Sequence, residues 1–148
     1  MNTQNQRPVR PHPLGLPIPA LVGLAALGVP RVILHDLHVI GEGELATWLL
    51  AVLPVAVWIG VAVVRRVPKP FLTVLAIGVI FGAMLVITHQ LLWDSAFNGN
   101  LPSVGGPDGA FVARIAAIPS GLFAGSIIGA IGGLIAWGLQ AFRSAARR

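Results

Sequence analysis

Twenty consecutive residues, Leu45–Val64, carry no charge and almost no hydrogen-bonding side chain. About 20 helical residues cross a bilayer's hydrocarbon core. Within that core each backbone N–H and C=O must be bonded inside its own segment, which leaves helix as the expected form of a single run. Three further apolar runs accompany it, at about 19–37, 71–93 and 111–142. The last is long enough that it must tilt or overhang the membrane. The expected fold is therefore all-α, an integral membrane bundle of four transmembrane helices within residues 17–142. Residues 1–16, broken by Pro8, Pro11 and Pro13, read as a disordered tail, and 143–148 as a basic terminus. That tail is too long and proline-broken for the start of a simple signal peptide, so the first run is expected to be retained. Pro30 and Pro54 lie inside the first and second runs, and Pro119 inside the fourth. Proline removes an N–H and crowds the preceding turn, so Pro30 should kink the first helix and Pro119 should break the fourth near its outer end.

Composition excludes several classes. Of the 148 residues 55% are apolar and 10% charged, against about 25% charged in soluble domains. An ordinary soluble enzyme or a disordered chain does not fit that balance. The net charge of +5 would suggest nucleic acid in a soluble protein, but here the cations sit in short pieces beside apolar runs, and no nucleic-acid partner is expected. The absence of cysteine excludes disulfides, thiol redox chemistry and thiolate metal sites. Arginine outnumbers lysine nine to one, with much Ala, Gly and Val, a bias expected of a GC-rich bacterial genome and hence of a bacterial plasma membrane.

The charges sort by loop. Arg7, Arg10, Arg65, Arg66, Lys69, Arg143, Arg147 and Arg148 fall on one side of a four-span arrangement; Asp36, Glu42, Glu44, Asp94 and Asp108 fall on the other. Lys and Arg beside short loops stay in the cytoplasm, so both termini are expected there. Trp48 and Trp93 lie near outer span ends and Trp137 near an inner one, positions that suit interfacial anchors; Trp58 fits a core or lipid-facing position better.

Two features stand out from this frame. Gly121, Gly125, Gly129 and Gly133 recur every fourth residue in the last run, with Ala113 and Ala117 in the same register. Residues four apart lie above one another on a helix. In lipid, where apolar burial does not drive helices together, such small-residue faces permit close backbone approach. The pattern resembles the glycine zipper of many membrane proteins, which implies a packing mode and no activity. The stripe could pack inside its own bundle, against Gly78 and Gly82 or against Ala56 and Gly60, or it could join a second copy or another membrane protein.

The second feature is polar. Arg31, His35 and His38 are spaced to share a helix face if the first helix continues that far, with Asp36 adjacent but pointing elsewhere. His89, Asp94 and Arg114 fall at similar depth. Ionisable groups within spans are costly and find partners. A structural reading pairs Arg31 and Arg114 with Asp94, Asp36 or loop carbonyls. A functional reading makes the histidines and carboxylates a metal site, a proton relay or a ligand pocket open to the outside. Ser120 and Ser126 read as backbone-bonded helix serines. The midplane of the second and third runs holds no polar or charged group, and no nucleophile, base and orienting group can be placed together. The expected role is a non-enzymatic assembly or interaction component of the membrane, without a cofactor and with the lipid bilayer as partner. The alternative is handling of a small molecule, metal or proton at the outer His/Asp/Arg cluster.

Overall fold

The computed structural model describes residues 12–41, 43–104, 106 and 108–147. Met1–Pro11, Glu42 and Arg148, which carry part of the charge pattern, lie outside the described residues. Those described form helices and no strand: α1 (Ile18–Ala26), α2 (Val29–Asp36), α3 (Leu45–Val64), α4 (Pro70–Leu91), the single turn α5 (Trp93–Ala96) and α6 (Gly109–Ala145). Four stretches, Ile18–Asp36, Leu45–Val64, Pro70–Leu91 and Gly109–Ala145, are long and apolar enough to cross a membrane.

The first stretch is broken between α1 and α2. Pro30 has no N–H to offer the carbonyl four residues back, and the chain tightens ahead of it: Leu27 N–H bonds Leu24 O and Gly28 N–H bonds Ala25 O. The Leu24 carbonyl also accepts the indole N–H of Trp58 at 2.7 Å. That bond explains why an indole can be only 1% exposed. At Gly28 the missing side chain admits Phe81, whose Cε2 would lie 2.5 Å from a Cβ. Phe81 in turn packs on Trp58 at 5.7 Å between ring centroids.

Pro119 does not break α6, contrary to expectation; the helix is continuous from Gly109 to Ala145. Proline there forfeits one backbone bond. The packed seam described next holds the helix along much of its length, and that outweighs the loss.

That seam lies between α4 and α6. Gly121, Gly125, Gly129 and Gly133 are all buried, and the face they form lies on α4. A Cβ on Gly125 would sit 2.5 Å from the Gly78 carbonyl oxygen and from Gly82 Cα. On Gly133 it would lie 2.7 Å from Phe71 O, and on Gly121 2.7 Å from Val86 Cγ2. Backbone meets backbone, so dispersion contacts replace side-chain interdigitation. The Ala56/Gly60 face takes no part, and space around Gly60 is open. The stripe is thus filled by the chain's own third stretch.

Charges of the described residues gather by end, apart from Arg31 and Arg114, which lie at the acidic one. Gln140 donates from Nε2 to Ala62 O at 2.9 Å, and Arg143 reaches Val63 O at 3.4 Å, so α6 side chains add a second donor to carbonyls at the end of α3 that also accept the Val67 and Arg66 N–H groups. Arg65, Arg66 and Lys69 follow in the same connection. His12–Leu16, at the end of the segment expected to be disordered, packs here too. Leu16 is buried, and the Thr73 hydroxyl lies 2.8 Å from Leu14 O and 2.9 Å from Lys69 O, free to donate its proton to either. Asp36, Asp94 and Asp108 lie at or beyond the opposite helix ends.

Candidate functional site

The polar residues singled out from the sequence divide into two groups. Arg31, His35, Asp36 and His89 line one cavity of about 260 Å³, closed on its other side by Ala117, Ser120 and Ala124 of α6. His38, Asp94 and Arg114 lie elsewhere.

Asp36 is the centre of the first group, which corrects the expectation that it points away. Its side chain is 5% exposed. Oδ2 lies 2.9 Å from His89 Nδ1, and Oδ1 lies 3.6 Å from His35 Nδ1. A carboxylate only accepts, so Nδ1 of His89 carries the donated proton and Nε2 is left as the other hydrogen-bonding nitrogen of the ring. The His89 ring is held by aromatic edges, Trp93 at 5.4 Å and Phe97 at 5.8 Å, both nearly perpendicular to it. The single turn α5 makes this possible: it folds the chain back after Leu91 and sets Trp93 on Phe97 at 4.8 Å. Trp93 is therefore 3% exposed, a core residue rather than an interfacial anchor. Trp48 and Trp137 remain exposed, at 63% and 59%.

His38 leaves the helix face on which its spacing would place it, because α2 ends at Asp36. His38 adopts a left-handed φ of 55°, and its Nε2 meets Asn98 Nδ2 at 3.1 Å. Arg114 pairs with neither acid proposed for it. It donates from Nε to Gln90 Oε1 and from Nη2 to Gln90 O, both at 2.8 Å, while Gln90 Nε2 donates to Arg114 O at 2.9 Å. Its guanidinium also stands 5.7 Å from the Trp93 ring centre. This reciprocal clamp ties α4 to α6. Asp94 is exposed and forms no ion pair among the described residues. No three His, Cys, Asp or Glu side chains among the described residues converge on a metal position.

Two participants were missed by the sequence reading. Asn98 fixes His38 from a loop 60 residues away, a pairing without local signal. Ser126 is bonded to Leu122 O at 2.8 Å as expected, but Ser120 lines the cavity. Its place one residue before the first stripe glycine, on the flank of the α4 seam, was the available cue. Compared with known proteins, the chain matches no protein-family model, no curated protein and no solved structure.

Proposed function

We propose that this chain is a four-span integral membrane protein of the bacterial plasma membrane, with both termini cytoplasmic, that binds a small ligand in a cavity on the opposite face. Support for insertion comes from the four apolar helical stretches; support for orientation comes from the cations around the α3–α4 connection and the end of α6. The observation that carries the binding reading is the cavity itself, where Arg31, His35, Asp36 and His89 from two stretches meet Ser120 from a third. The other reading, a component that assembles through the glycine stripe, loses its main surface to α4. Binding rather than catalysis is the role the cavity favours: it offers a cation and imidazoles to an acceptor-rich ligand.

The test is a melting curve of the detergent-solubilised full chain with inorganic phosphate. A ligand of the native state at 100 times its Kd stabilises by about 2.7 kcal/mol. With Arg66→Gln and Arg143→Gln as the common background, which weakens the cationic cavity at the other end, saturating phosphate is expected to raise the melting temperature of the chain with Arg31 and to leave Arg31→Gln unmoved. Equal responses, or none in either, would remove the binding reading.

A further inference from the structure

We propose that the ligand is a phospholipid, with its phosphate on Arg31 and the start of one acyl chain in the cleft between α3 and α6. This rests on the binding reading above and names its ligand class.

Three cavities meet at Arg31, the one residue that lines all of them. The first is the His/Asp cavity already described. The second, of about 280 Å³, lies between α2 and the start of α3 and includes His35, Thr47 and Trp48. The third, of about 160 Å³, runs deeper among Leu50, Pro54, Val55, Phe81 and Ile128, and Arg31 is the only charged one among the described residues that line it. Polar space thus lies on one side of the guanidinium and apolar space on the other. Arg31 stands about 8 Å of helix rise from the end of α2, a depth at which a headgroup meets hydrocarbon. The cleft has a closed end and an open one. Gly132 of α6 packs near Val55 and Ile59 of α3, and Gln140 is bonded to Ala62 O. Towards Arg31 the space between the two helices remains.

Among the described residues the charge at this boundary has no partner. Arg31 Nε is buried without a hydrogen-bond partner, and the guanidinium forms no ion pair among the described residues. The nearest acid in sequence, Asp36, is engaged by His89 and His35. A cation left so in apolar surroundings is costly. A planar guanidinium presents several N–H groups in a fork that fits phosphate oxygens. Free phosphate would meet the cation and leave the apolar half unfilled; a lipid phosphate satisfies both halves in one molecule.

Native mass spectrometry of the full chain with phosphatidylglycerol tests this. Arg66→Gln with Arg143→Gln serves as the common background, because Arg66, Arg143 and Arg147 line a separate cationic cavity at the opposite end that also suits anionic headgroups. In that background, the chain with Arg31 is expected to retain one phosphatidylglycerol more than Arg31→Gln, which binds that lipid about tenfold more weakly. Leu50→Trp, which fills the apolar half, is expected to lose the same lipid while keeping the phosphate-induced rise in melting temperature. Diacylglycerol, which lacks the phosphate, is expected not to be retained. Equal retention by Arg31→Gln, retention by Leu50→Trp, or capture of diacylglycerol would each overturn the proposal. If the phosphate response survives any of these results, the lipid assignment fails alone; if it is also absent, the binding reading falls with it.

Discussion

Gly125→Ala is expected to destabilise the folded chain by about 3 kcal/mol, at the upper end of the usual cost of overpacking. One methyl group is enough because of what it meets. The added carbon would lie 2.5 Å from the Gly78 carbonyl oxygen and from Gly82 Cα. Comfortable contact between heavy atoms needs about 3.5 Å or more. A side chain in the way could rotate, but a backbone cannot, so α4 and α6 would have to separate by about 1 Å. That separation would loosen the contacts at Gly121, Gly129 and Gly133 together. Gly60→Ala supplies the contrast, since nothing lies within 4 Å of a Cβ there. The same chemical change at Gly60 should be neutral or stabilising by up to about 1 kcal/mol through helix propensity. Unfolding of both variants by denaturing detergent, read by circular dichroism, checks the difference. Equal unfolding midpoints would show that the seam is not where the helices meet.

Asp36→Ala is expected to cost about 2–3 kcal/mol, the penalty for leaving a buried donor unsatisfied and breaking a largely buried pair. The carboxylate is almost wholly buried, and His89 is 28% exposed, so water recovers part of the loss at the imidazole. The substitution strips the acceptor from His89 Nδ1 and removes the group beside His35. Asp36→Asn keeps an oxygen that can accept from His89 and should cost about 1 kcal/mol. Asp94→Ala, at an exposed acid with no ion pair among the described residues, should fall within about 0.5 kcal/mol of wild type. The same unfolding assay ranks the three variants. If Asp36→Ala and Asp94→Ala behave alike, the carboxylate is not the organising group of the cavity.

What the sequence revealed and concealed follows from the range of each interaction. Helix positions are set by runs of apolar residues and by prolines, both local, so the second run coincides with α3 at Leu45–Val64. The break in the first stretch was legible for the same reason, since Pro30 acts on the turn before it. The stripe declared a packing face because four-residue spacing is a property of one helix. Which partner it takes is decided by matching glycines on another helix, and Gly78 and Gly82 were visible candidates beside Ala56 and Gly60. The polar cluster was half legible. Depth along the helices brought Arg31, His35 and His89 to one level, but direction was lost where helices end. A face projected past Asp36 misplaced His38, and the turn at α5 buried Trp93. The Arg114–Gln90 clamp replaced an ion pair because Gln90 offers acceptors from both its side chain and its backbone.

Because the chain has no cysteine, its orientation can be read from single introduced thiols in intact cells. Asn98→Cys in the α5–α6 connection and Ser144→Cys near the end of α6 are the informative pair. With a membrane-impermeant maleimide, Asn98→Cys is expected to label at once, and Ser144→Cys only after the membrane is opened. Labelling of Ser144→Cys in intact cells with protection of Asn98→Cys would reverse the orientation, and labelling of neither before disruption and both after it would contradict a chain that crosses the bilayer with Asn98 and Ser144 on opposite sides.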